Sequence, residues 1–516
     1  MLLHSELAPG GTHVGIDPQD WRWIAPLLAF DLRLQPGKVG TRLPRVPHLG
    51  DLEVRGEATA IDAEQLRLVL ELRVIDNRDD GHAGSGTGKL DLTRTVQDGV
   101  VTAFAGQLVL EMQFGPRLSS RDLHGTFAQD WHLDRVVEHR EPGFTAAVAE
   151  AIVRGAEPIH HALRPDRPEF ATRPAGADHP CGEGRLALGI QTLLTAGMPG
   201  DDPVIVAALA ELRRRRIVET YSLATSILAL DALYAPAGER DALRSGALSD
   251  PVARQPEEAD ARLLAEWTAR LRDNRDSGSG TKVARWTYLG GPQFDNSNSQ
   301  YALLGLWQAQ WCGQPTATAL WQAAANHWIA AQHRADGPAR ALRCVDAPTF
   351  AAQGLQAATR GGSAGTAAPR GFGYKAANAG PAYGSMTAAG VTGLGLCREM
   401  LTADGGKAPA KLDNALRAGL AWLSRERSVR WNPGPVTQRH EFFFYWLYSL
   451  ERACQLNHVA LLDDWDWYHD GAQVLLALQD DDGAFGPATF EQQCFAVLFL
   501  GRAQLAARTG AFTDKR

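Results

Sequence analysis

Asp295, His440 and Glu441 are the residues whose types and placement best suit acid–base chemistry in this chain. Asp295 opens the polar run Asp295-Asn296-Ser297-Asn298, with Gln300 close behind, directly before an apolar stretch; Arg439-His440-Glu441 opens another such stretch. Two carboxylates facing each other can divide the roles of proton donor and acceptor, and a histidine changes charge near neutral pH. The same pair can serve glycoside chemistry. Capping explains one Ser, Thr or Asp at a helix start, but not a row of polar residues at one entrance or an Arg-His-Glu run at another. Two readings stay open, hydrogen-bond closure of helix ends and a ligand pocket. In a pocket, Tyr221, Asn298, Gln300, Arg439 and Glu491 are the expected ligand contacts. Phe372, Tyr374 and Tyr383, spaced by glycines in the segment RGFGYKAANAGPAYG (370–384), are expected either as an aromatic lid or as a loop pinned by its own rings.

Other motifs read as structural. Gly361-Gly362-Ser363-Ala364-Gly365 matches GxSxG but lies in a Gly/Ala/Pro-rich stretch, without the strand-to-helix turn a nucleophile needs; a flexible link is expected. Residues 84–89 imitate a phosphate loop, but Ala83 replaces the first Gly and Leu90 the final Ser or Thr, so a β-turn or loop is expected. Arg213 to Arg216 close an amphipathic stretch, where cations suit the negative helix end, and read as a solvated terminus. The six cysteines show no CxxC pair, so neither a zinc ribbon nor a disulfide framework is expected, and no metal or cofactor is assigned.

The elements that must hold these residues fall into two regions. Residues 1–141 read as an N-terminal antiparallel β domain, a sheet, sandwich or small barrel. Leu66, Leu68, Leu70, Leu72 and Val74 alternate with mostly polar residues, as do Phe30, Leu32 and Leu34, then Leu108, Leu110, Met112 and Phe114. Further runs near 51–60, 88–96 and 121–137 bring the total to about six. Residues 142–516 are helical, making the protein mainly α. One set of stretches is apolar nearly all round: 185–196, 221–233, 298–310, 385–400, 441–454 and 490–506. A second is amphipathic: 146–162, 203–214, 259–271, 316–332, 411–425 and 467–479. A helix apolar on every side must be covered on every side. Alternating six of each kind therefore predicts two concentric rings, with the inner N-termini converging on one mouth.

The segment GAQVLLALQDDDGAF (471–485) resembles the QW repeat of the prenyltransferase and squalene oxidase repeat superfamily, with Gln479, Gly483 and Phe485 in the motif and Phe485 where Trp is usual. A degenerate copy runs from Trp328 through Gln332 to Gly337. DNSNSQYALLGL (295–306), GSMTAAG (384–390) and YWLYSLER (445–452) are similar to segments of a squalene-hopene-cyclase-like bacterial subgroup. The resemblance covers roughly 142–510 and implies an (α/α)6 toroid. It does not carry the family's acid, because no DxDD occurs: Asp463-Asp464-Trp465-Asp466 and Asp480-Asp481-Asp482 have the wrong spacing. The DDxxD of diphosphate chemistry and a prenyltransferase zinc set are missing as well. Cys181-Gly182-Glu183-Gly184 is similar to the CGEQ of thioester toroids, but Gly184 has no side chain to acylate the cysteine.

Charge narrows the partners. With 52 Lys+Arg against 59 Asp+Glu, a net −7 and no basic stripe, nucleic acid is a poor partner. No apolar run is long enough to span a membrane, and the start shows no secretory signal, so a cytoplasmic protein is expected unless a different start codon hides a leader. Three functions follow: a toroid binding an apolar, isoprenoid or lipid-like ligand in its central cavity; an enzyme acting on an isoprenoid or a glycan with acids at the mouth; or a scaffold whose β domain binds another protein.

Overall fold

The computed structural model describes residues 36–46, 50–76, 85–97, 100–113, 122–132, 143–167, 182–276, 282–357, 363–377, 379–429, 431–434, 442–486 and 488–502. They fall into two compact units, one of strands and one mainly of helices. Phe30, Leu32, Leu34, Phe114, Cys181, Arg439, His440 and Glu441 lie outside the described residues.

The first unit holds six antiparallel strands in sequence order: β1 (Gly37–Val46), β2 (Gly50–Ala60), β3 (Gln65–Asp76), β4 (Ser85–Gln97), β5 (Val100–Gln113) and β6 (Asp122–His132). Of the expected sheet, sandwich or barrel, the described residues show an antiparallel meander sheet. Register explains its apolar face: Val54 pairs with Leu72, Ala58 with Leu68 and Leu70 with Leu90, and all six are buried. The opposite face carries Arg67 and Asp91, an exposed ion pair at 2.9 Å. Strand β1 lacks the alternating signature. It contains Pro44, at the site where its register with β2 shifts, and it stands at the sheet edge, where a residue without an N–H is tolerated.

The second unit begins with α1 (Gly143–Ala162), α2 (Gly182–Thr195), α3 (Pro203–Arg214), α4 (Thr220–Tyr234), α5 (Glu239–Ser245), α6 (Glu258–Asp273), α7 (Asn296–Trp311) and α8 (Thr318–Ala331). It continues through β7 (Arg340–Val345), α9 (Ala347–Gln353), β8 (Ser363–Ala367), α10 (Gly384–Thr402), α11 (Ala410–Glu426), α12 (Phe443–Leu456), β9 (Leu461–Leu462), α13 (Trp467–Leu478) and α14 (Phe490–Leu500). The helices that read as apolar all round are buried all round; in α4 every residue from Ser222 to Asp231 is buried. These helices pack in a cycle: α2 on α4, α4 on α7, α7 on α10, α10 on α12, α12 on α14, and α14 back on α2. The amphipathic α1, α3, α6, α8, α11 and α13 each lie against one or two members of that cycle.

Glycines set how closely these layers meet. A Cβ on Gly390 would sit 2.4 Å from the Phe372 ring, and one on Gly393 would sit 2.3 Å from Trp328 Nε1. The Gly-rich face of α10 is therefore a pair of slots for two large rings. Gln479 and Gln332, the residues that end α13 and α8, do equivalent work. Gln479 Nε2 donates to the Ala151 carbonyl of α1 at 2.9 Å, and Gln332 Nε2 to the Ala415 carbonyl of α11 at 2.9 Å.

Three expectations about links need correction. Residues 363–367 form strand β8, paired antiparallel to β7, so Ser363 sits in a small sheet and not in a flexible link. Arg213 does not end in solvent; it grips the buried Asp260 of α6 through two bonds of 2.8 and 2.7 Å. Residues 85–89, expected as a turn or loop, open strand β4. The run 463–466, by contrast, has the structural role expected of it: Asp463 accepts from the Arg343 amide at 2.7 Å, Asp464 pairs with Arg427, and Asp466 caps α13. No helix among the described residues is long and apolar enough to cross a membrane.

Candidate functional site in the helical cycle

The helices of this cycle start side by side. The Gly184 amide of α2 donates to Ser222 Oγ of α4 at 3.2 Å, and Arg185 pairs with Glu491 of α14 at 3.2 Å. The Tyr221 and Tyr301 rings meet edge to face at 4.7 Å, and Ser297 Oγ of α7 lies 3.2 Å from Tyr445 Oη of α12. At the far ends, Gln308 of α7 donates to Asp231 of α4. Contacts of start to start and end to end mean that these helices run in one direction, so their N-terminal turns share a rim.

On that rim Asp295 is the cap of α7. One carboxylate oxygen accepts from the Asn298 amide at 2.7 Å, and both accept from Asn298 Nδ2, at 3.2 and 3.0 Å. Burial pushes its carboxyl above the usual range, against the pull of these bonds. Gln300 accepts from Tyr445 Oη at 3.3 Å. At the start of α7, Asp295 and Asn298 bond each other and Gln300 bonds Tyr445, while Tyr221 packs on Tyr301 and Glu491 is engaged by Arg185.

The aromatic loop is pinned, not raised. Asn296 Nδ2 donates to the Gly373 carbonyl at 2.8 Å, and the Asn296 amide to the Tyr374 carbonyl at 2.8 Å. Phe372, expected as a ring offered to a ligand, is fully buried between Trp328, at a centroid distance of 5.6 Å, and the Gly390 slot. Tyr383 is buried too, and of the three rings only Tyr374 is exposed. Gly-spaced aromatics have the same local sequence whether they cover a mouth or fill a core.

Deeper in the cycle lie residues the sequence did not nominate. Tyr445, Tyr448, Ser449 and Arg452 follow at helical spacing on one face of α12. The Arg452 guanidinium is fully buried, 4.1 Å from the Tyr448 ring and 4.9 Å from the Tyr301 ring of α7. Helix α10 lies between α7 and α12 in the cycle, so these side chains meet across its interior. A signal did exist: Glu451-Arg452 sits inside a helix apolar on nearly every side, where charge is rarely buried without a partner.

At the C-terminal ends of α2, α4 and α7 a cavity of about 420 Å3 opens, with Leu194, Met198, Leu228 and Leu233 among its apolar residues and Gln191, Asp231, Glu239, Arg240, Arg254 and Gln308 among its polar ones. Tyr448 lines it as well. Arg254 spans two buried carboxylates beside it, reaching Asp231 at 2.8 Å and Glu239 at 2.7 Å. Burial still pushes the Asp231 carboxyl up, with Arg254 opposing.

Among the described residues no cluster of three His, Cys, Asp or Glu is placed to hold a metal ion. Cys312, Cys344, Cys397, Cys454 and Cys494 are buried and free. Gly184 leaves no room for the glutamine of a thioester, because a Cβ there would lie 2.6 Å from the Tyr221 ring. Comparison of the chain with family models, curated proteins and solved structures finds no match.

Proposed function

We propose that the helical unit is an (α/α)6 toroid of the squalene-hopene-cyclase-like kind, and that it binds a small molecule in its interior without transforming it. The cycle of six inner helices, the shared direction of their starts and the outer layer support the toroid. The cavity of about 420 Å3 carries the binding reading: it falls within the usual range for small-molecule sites, and its wall is shared about evenly between apolar and polar groups. Its apolar part, Leu194, Met198, Leu228 and Leu233, suits an isoprenoid or lipid-like body, and the polar side chains beside it suit a polar end. Calorimetric titration with farnesol tests it. Saturable binding is expected, weakened at least tenfold in Leu228→Trp or Met198→Trp, which fill the wall. Absence of binding, or equal affinity in both folded variants, overturns it.

A second reading, an enzyme acting on an isoprenoid or a glycan with Asp295 as acid, is favoured by one observation: burial pushes that carboxyl up. Asn is as good a helix cap as Asp, so Asp295→Asn removes the acid and keeps the cap. Under the binding reading, farnesol affinity changes less than threefold in this variant. Under the enzyme reading, turnover of a substrate found by screening falls by at least a hundredfold.

A further inference from the structure

Arg452 is a cation without a matching anion. Its guanidinium has no exposure, and among the described residues no hydrogen-bond partner reaches Nε or Nη1. Nη2 donates to Ser449 Oγ at 3.3 Å. Tyrosine rings cover its faces, and an arginine stays protonated in a protein. Burial pushes the Tyr448 hydroxyl up to about 12 and that of Tyr301 further, so neither supplies a counter-charge at neutral pH. The neighbouring buried carboxylate, Glu451, interacts with Arg240. Close by, Gln300 Nε2 is a second buried donor without a partner; its own Oε1 accepts from Tyr445, whose ring centroid is 5.9 Å from the guanidinium. Unpaired donors around a buried cation form a site of positive sign that takes a negatively charged acceptor.

We propose that the interior of the helical cycle holds an oxyanion, a carboxylate or a phosphate, on Arg452 with Gln300 as second donor. This rests on the ring-interior binding reading and names its ligand class: a molecule with an acidic head. Partly exposed Tyr445 marks the approach from the shared rim, about two turns or ~10 Å along α12 from Arg452.

The test uses the whole chain with two probes, sodium octanoate and inorganic phosphate, each titrated calorimetrically against sodium chloride of equal ionic strength. At least one binds saturably, and Arg452→Met weakens it tenfold or more. Octanoate alone identifies an acidic amphiphile, phosphate alone a free or esterified phosphate, and both the shared oxyanion chemistry. If Arg452→Met does not fold, the arginine Nε–H resonances of the unaltered protein decide, since saturation must shift one of them. Neither probe binding, unchanged affinity in the variant, or no shifted resonance overturns the proposal. Farnesol bound without either anion sinks the oxyanion site and leaves the binding reading standing; an anion bound on Arg452 without farnesol keeps the oxyanion site and overturns the neutral isoprenoid as the ligand.

Discussion

Gln479 and Ala151 are 328 positions apart, yet the side-chain amide of one donates to the carbonyl of the other at 2.9 Å. The bond ties the last amphipathic helix, α13, to the first, α1, while the same amide also reaches the Gly483 carbonyl at 3.2 Å. Gln479→Ala leaves two carbonyls without this donor and is expected to destabilise the helical unit by about 2 kcal/mol. Urea unfolding followed by far-UV circular dichroism measures it; a loss below about 0.5 kcal/mol would show that the clamp does not hold the layer.

Gly483 sits at φ +82 in the turn after that glutamine, and a Cβ there would lie 2.3 Å from the Arg154 carbonyl oxygen. Gly483→Ala adds left-handed strain to a backbone clash and is expected to cost about 3 kcal/mol or more, exceeding Gln479→Ala. The order of the two midpoints in urea checks this, and the reverse order would contradict the turn geometry.

The slots on α10 make a coupled prediction. Gly393→Ala drives a methyl into Trp328 and is expected to cost about 1–3 kcal/mol. Trp328→Phe removes the indole edge it meets, so the double variant should lose less than the sum of the singles by about 1 kcal/mol. Strict additivity in thermal unfolding would mean that the two positions do not touch.

Burial alone would push the Asp260 carboxyl up, but the Arg213 guanidinium and the Tyr234 hydroxyl, at 2.7 Å, outweigh it and hold it below the usual range. A carboxylate shifted down on folding contributes stability above its unfolded value, and that contribution fades as pH falls through the folded one. Arg213→Ala is expected to cost about 2 kcal/mol at pH 7, less than a fully buried pair because Arg213 is a third exposed. The gap should narrow below about pH 4. A gap constant from pH 7 to pH 3 would refute the assignment.

His327 is buried, and its Nε2 lies 3.0 Å from Asn296 Oδ1, the residue that also pins the aromatic loop. Burial first, then Arg285, depresses its pKa to about 3. The unfolded chain takes up the proton near pH 6.5 and the folded one does not, so stability is full above that pH and is lost as pH falls towards 3. The slope reaches about 1.4 kcal/mol per pH unit. Between pH 6 and 4, His327→Gln should lose stability less steeply than the unaltered protein; equal slopes would show that the imidazole titrates normally.

Much of the architecture was legible because it rests on local repetition. Leu66, Leu68, Leu70 and Leu72 can bury one face only in an extended strand, and a stretch such as 221–233 can be satisfied only inside other helices. The structure displays both. Strand β8 was hidden because its Ser-Ala-Gly-Thr-Ala run has no pattern, and only its pairing with β7 makes it a strand. Arg213 was read as solvated because its partner, Asp260, lies on a different helix. Of the rim, Asp295, Asn298 and Gln300 were nominated and are brought together, whereas Phe372 filled a core slot that Gly390 opens from a separate helix.

What the chain determines by itself is the order of its elements, which helices must be covered and which face water, since period and polarity are properties of consecutive residues. What the tertiary structure decides is which side chains from distant turns meet: Gln479 with Ala151, Asp231 with Arg254, and Arg452 with tyrosines from two helices. Those encounters depend on distances across the interior of the packed helices. Such distances are set when the helices close on one another, and no local pattern records them.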